Sequence, residues 1–126
     1  MRRNGMSQKF GERVRELREH SRITLRQLGK ALECSAVYLS DVELGHRAPP
    51  SPERIVKIAK IIGADENELL RLAAQQRKHI ELDTEGLHDL QLDAALSLGR
   101  ALKGLTDDQA EQILKVLRGK PKDDDE

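Results

Sequence analysis

Apolar residues recur along this chain at the three- and four-residue spacing of a helix face, and the alternation of a strand is nearly absent. Phe10, Val14 and Leu17 mark one face of a first helix over about residues 7–20, with Ser7 placed to cap it. Thr24 followed by Gln27 is a capping box that opens a short helix over about residues 25–32, with Leu25, Leu28 and Leu32 as its apolar positions. Ser35 caps a third helix over about residues 36–44; its inward side is Leu39 and Val42, and Gly45 supplies its end. Arg47-Ala48-Pro49-Pro50 cannot be helical throughout, because consecutive prolines remove donors and hold the preceding residues extended. Ser51 and Pro52 then serve as cap and first residue of a fourth helix with the stripe Ile55, Ile58, Ala59 and Ile62, stopped by Gly63. Asp65 with Glu68 predicts another capping box before Leu69, Leu70 and Leu72, in a fifth helix that fades near Gln76.

The pattern breaks over residues 78–86, where Ile80 and Leu82 alternate with polar neighbours as in a short extended linker. A sixth helix over about residues 88–103 carries two stripes: Leu92, Ala95, Leu96, Gly99 and Leu102, and also Ala94, Leu98 and Ala101. Thr106 and Gln109 box the start of a seventh helix over about residues 107–118, with Ala110, Ile113, Leu114 and Leu117 on one side and Gly119 and Pro121 as its stop. The expected class is all-α: a five-helix domain over 1–77, a linker over 78–86, a helical hairpin over 87–118 and a disordered acidic tail over 119–126.

Composition agrees with packed helices. Aromatics make up 2% of the residues, Phe10 and Tyr38 alone, so the core must be built from Leu, Ile, Val and Ala. No apolar run approaches the ~18 residues of a membrane span, and no apolar signal segment follows the basic start, so a soluble cytoplasmic protein is expected. The single Cys34 excludes an internal disulfide, and His20, His46, His79 and His88 lack ligand spacing, so no zinc site is expected. There is no Gly-rich phosphate loop, no His-Glu metal pair and no Ser or Cys with a positioned base; the chain reads as a protein without catalysis or cofactor. The net charge of zero hides an asymmetry. Residues 1–77 carry 15 Lys and Arg against 10 Asp and Glu, and residues 78–126 carry 7 against 12. A basic first part suits a polyanion.

The second and third helices, separated by a turn at Glu33-Cys34, have helix-turn-helix spacing. Over Val14–Leu72, VRELREHSRITLRQLGKALECSAVYLSDVELGHRAPPSPERIVKIAKIIGADENELLRL, the chain resembles the Cro/repressor-type (Xre) helix-turn-helix regulators. The resemblance implies a five-helix Cro/repressor-like DNA-binding domain whose third helix enters the major groove of double-stranded DNA. Its base-contacting positions correspond here to Ser35, Ala36, Val37, Tyr38 and Asp41. Ser35 can donate to a phosphate or base, Ala36 and Val37 can pack on thymine methyls, and Asp41 either accepts from cytosine N4 or pairs with a neighbouring cation. Arg18 and Glu43 match positions that the family joins as a structural salt bridge. Arg26, Lys30, His46, Arg47 and Arg54 are the candidate phosphate contacts, with Arg2 and Arg3 as an arm.

Three positions depart from the family pattern. Leu25 stands where Gln often reaches a phosphate, Glu33 where the turn usually has Gly, and Ala36 and Val37 where some members carry amide side chains. A non-Gly residue at positive φ costs on the order of 1 kcal/mol, which predicts a differently shaped turn. Cys34 fits a small packed residue after the turn.

The sixth helix cannot hide both its stripes on a single neighbour, so a homodimer through Leu92, Leu96, Leu98, Leu102, Ile113 and Leu117 is expected, against the alternative that one stripe packs on the fifth helix. ELDTEGL and LSLGRALKGLTDDQAEQILKVL also resemble the corresponding region of regulators that a zinc metallopeptidase inactivates by cleavage. Some proteins with this helix-turn-helix act as antitoxins or adaptors on a partner protein, so a toxin or metallopeptidase partner is the alternative expectation; the polar linker before a separable helix pair puts the expected cut after residue 80.

Overall fold

The computed structural model describes residues 9–119. Among them all regular structure is helical: α1 (Phe10–His20), α2 (Leu25–Leu32), α3 (Ala36–Leu44), α4 (Pro52–Ile62), α5 (Glu66–Arg77), α6 (Asp89–Ala101) and α7 (Asp107–Arg118), with a 3-10 turn at Leu102–Gly104. The chain divides into two units between Glu81 and Leu82. Ser7, Arg2, Arg3 and residues 120–126 lie outside the described residues.

Local chemistry sets most helix starts. The Thr24 hydroxyl accepts from Gln27 N–H at 3.0 Å, while the Gln27 side chain accepts from Thr24 N–H at 2.8 Å. Ser35 accepts from Tyr38 N–H at 3.0 Å, and Ser51 from Arg54 N–H at 3.3 Å with Pro52 in the first turn. Two starts differ from expectation. α1 begins at Phe10, where Glu12 accepts from Lys9 N–H at 3.1 Å. The Asp65–Glu68 box does not form: Asp65 accepts from Asn67 N–H at 3.1 Å, and Glu68 turns to Arg13 Nε at 2.8 Å, because a guanidinium partner outweighs a backbone one.

At 8 to 12 residues, α1–α5 are too short to persist alone and depend on a shared core. Phe10 and Val14 from α1, Leu28 and Leu32 from α2, Leu39 and Val42 from α3, Ile55, Ile58, Ala59 and Ile62 from α4, and Leu69 and Ala73 from α5 form one buried cluster. α3 packs on α1 and α2, α4 packs on α2 and α5, and α1 closes onto α5.

The second unit is built otherwise. Thr106 and Gln109 cap α7 reciprocally at 3.0 and 3.1 Å. The sixth helix stops at Ala101, two residues short of expectation, and Leu102 enters the 3-10 turn. α6 packs on that turn. None of the described residues from Leu82 to Gly119 is buried.

Candidate nucleic-acid interface

α3 is held to its neighbours by two close backbone approaches and one buried ion pair. A Cβ on Gly29 in α2 would fall 2.6 Å from the Cys34 carbonyl oxygen, so α2 and the turn meet at a distance only glycine permits. A Cβ on Gly11 would fall 2.4 Å from the Val42 carbonyl oxygen, so α1 crosses the end of α3 equally tightly. Arg18 donates to Glu43 from Nε at 2.7 Å and from Nη2 at 3.0 Å, and both side chains are buried. Its hydrogen bonding to Glu43 is the main reason the Arg18 guanidinium is raised above the ordinary arginine value. The turn keeps the left-handed conformation despite its side chain: Glu33 sits at φ 61° and ψ 44°. The change of shape predicted for a non-Gly residue there does not occur, because Glu33 N–H and Cys34 N–H close the end of α2 on Lys30 and Gly29 carbonyls at 3.3 and 2.9 Å.

With Leu39 and Val42 inward, the start of α3 faces out. Ser35 is exposed, Val37 is 71% exposed and Ala36 is half-buried. The Ser35 oxygen is occupied by Tyr38 N–H, which leaves its hydroxyl proton to donate outward. Tyr38 is half-buried, with its ring against the core. Asp41 stands 3.9 Å from His46 Nδ1. Leu25 is turned against the core and presents no polar group to a phosphate.

Two groups of cations in the first unit differ in their partners. On α1, Arg13 pairs with Glu16 and Glu68, Arg15 with Glu19 and Arg18 with Glu43. Around α2 and α3, Arg26, Lys30 and Arg47 are exposed and Arg54 is half-exposed, and among the described residues none of these four has a carboxylate within 4.0 Å. Arg47 and Arg54 instead lie over the Tyr38 ring, 5.4 and 5.7 Å from its centroid. Cations without carboxylate partners, a hydroxyl with its proton left to donate and an exposed apolar side chain match what a major groove and its flanking phosphates offer.

The helix-turn-helix domain family matches residues 9–72. This chain belongs to the helix-turn-helix family of transcriptional regulators. It is similar to the HTH-type transcriptional regulator DdrOP3 of Deinococcus deserti, 34% identical over 118 residues that cover 91% of this chain and 87% of that protein. It is also similar to the HTH-type transcriptional repressor RghR of Bacillus subtilis, 40% identical over 53 residues, covering 42% of this chain and 39% of that one. The crystal structure of the clp gene regulator ClgR from C. glutamicum matches at 30% identity with a TM-score of 0.45, covering 59% of this chain and 91% of that chain. Coverage of 91% carries the likeness to DdrOP3 past the helix-turn-helix domain and into the second unit.

Several residues that hold α3 in place escaped the sequence reading. Gly11 and Gly29 lie inside helical patterns, where a glycine is itself the available signal of close approach. Arg77, the last residue of α5, donates from Nη2 to the carbonyl oxygens of Pro49 and Pro50 and so fixes the loop that bears Arg47. Ser21 donates to the Ile62 carbonyl at 2.7 Å. No helix among the described residues is long and apolar enough to cross a membrane.

Proposed function

We propose that this chain is a sequence-specific repressor that binds an inverted-repeat operator as a dimer, in the cytoplasm and without catalysis or cofactor. The carrying observation is the start of α3: exposed Ser35 and Val37 with half-buried Ala36, flanked by unpaired Arg26, Lys30, Arg47 and Arg54. In this reading Ser35 donates to a base or phosphate, Ala36 and Val37 seat on thymine methyls, and the cations with His46 supply the sequence-independent attraction. Tyr38 and Asp41, both half-buried on the same helix, are the remaining contacts of this reading. Arg18 and Glu43 keep α3 at its angle.

The dimer reading is supported by the second unit, where Leu96, Leu102 and Leu117 are 64%, 52% and 66% exposed and Leu92, Leu98 and Ile113 only half-buried. A second copy covers these stripes and sets two α3 helices about 34 Å apart, one turn of DNA. The partner-protein reading, with a metallopeptidase or toxin, rests on the resemblance of the linker and helix pair alone.

Mobility shifts on genomic fragments test the assignment. Val37→Glu sets a charge against the groove and should abolish selection of any fragment while leaving the fold intact. Unchanged selectivity in that variant would remove α3 as the reading element.

A further inference from the structure

Tyr38 is the only tyrosine of the chain, and two cations share its ring. Its ring is half-buried against the core, and its backbone N–H is tied to Ser35. Two guanidinium groups from different segments lie over the ring. Arg47 comes from the loop after α3, and Arg54 comes from the first turn of α4. Both distances are within the ~6 Å range of a cation–π contact. Because they share one centroid, the two guanidinium carbons lie within about 11 Å of each other.

Neither arginine has a carboxylate partner among the described residues. Arg54 sits at the amino end of α4, where the helix dipole disfavours a cation. Glu53, exposed in the same turn, pairs with neither it nor Arg47. Two like charges lie over one ring, and among the described residues neither has a carboxylate within 4.0 Å. Both guanidinium groups keep donors for an anion supplied from outside, which would offset their like charge. The Arg77 grip on Pro49 and Pro50 fixes the far side of the same loop.

We propose that Tyr38 is a positioning residue that holds Arg47 and Arg54 as a clamp for neighbouring phosphates on one DNA strand. This rests on the DNA-binding reading above. The ring restricts two long side chains before the duplex arrives, so less rotamer freedom is lost on binding. Sequence choice stays with Ser35, Ala36 and Val37.

The test uses the full chain and two probes: a duplex selected by the wild type from a random pool, and a duplex of scrambled sequence. Tyr38→Leu keeps apolar bulk but removes the π face, and should weaken both complexes alike, by about tenfold. Tyr38→Phe should bind as the wild type does. In an Arg47→Ala, Arg54→Ala background, Tyr38→Leu should have no further effect. A changed ratio between the two probes in Tyr38→Phe would make Tyr38 a base reader and overturn the proposal. So would an undiminished Tyr38→Leu loss in the double-alanine background, which marks a purely structural role. The DNA-free protein gives an independent arm: side-chain proton resonances of Arg47 and Arg54 should lose their ring-current shift in Tyr38→Leu. Their constancy overturns the stack. Failure of the wild type to hold any duplex, with those shifts intact, would instead overturn the DNA-binding reading.

Discussion

Arg18 and Glu43 form a two-pronged ion pair, at 2.7 and 3.0 Å, that ties α1 to the last turn of α3. The remaining Arg18 nitrogen, Nη1, donates to the Ile23 carbonyl at 2.8 Å, so the same side chain also fixes the approach to α2. One residue thereby holds both halves of the helix-turn-helix.

Removing one partner leaves a buried charge without its counter-ion. Arg18→Ala should cost about 3–5 kcal/mol in urea unfolding, and the pair Arg18→Leu with Glu43→Leu should cost less, because both charges go together. Arg18 is raised above its ordinary value, chiefly by the Glu43 hydrogen bond. Stability from a raised group is fully present below the unfolded value and is lost only as pH climbs through the folded one. The gap between the wild type and Arg18→Ala should therefore stay constant from about pH 7 to about pH 10.

Gly29 and Gly11 admit no side chain. The obstructing atoms are the backbone oxygens of Cys34 and Val42, which cannot swing aside as a side-chain end would. Gly29→Ala and Gly11→Ala should each destabilise by about 1–3 kcal/mol, read from thermal or urea midpoints.

Glu33 is the opposite case. Its left-handed φ of 61° stores strain that glycine would relieve. Glu33→Gly should stabilise the domain by about 1 kcal/mol with DNA affinity unchanged, measured by urea unfolding and mobility shift.

A chain ending at Glu81 should stay folded and sediment as a monomer, with most operator affinity lost. Ending it at Gln76 would also remove Arg77 and free the carbonyls of Pro49 and Pro50, so the shorter form should be less stable. Leu98→Asp in the full chain should reproduce the monomer. A dimeric Glu81 truncation would move the interface into the first unit.

The sequence alone determined the helices and their order, because their starts are decided within three residues of chain. Thr24 with Gln27, Ser35, Ser51 with Pro52 and Thr106 with Gln109 each satisfy donors at their own helix end, whatever the fold does elsewhere. It also determined the inward faces, since Leu39 and Val42 follow from period alone. Tertiary structure decided what spans the chain. Glu68 left its local box for Arg13, 55 residues away. Arg77 found carbonyls 27 and 28 residues back, in a loop that the sequence marks only as non-helical. Tyr38 was legible as lying on α3, but the two arginines over its ring come from a loop and a different helix. Capping is a contest between neighbours and can be read from neighbours. A guanidinium chooses among every acceptor that folding brings within reach, and that choice exists only once the core has closed.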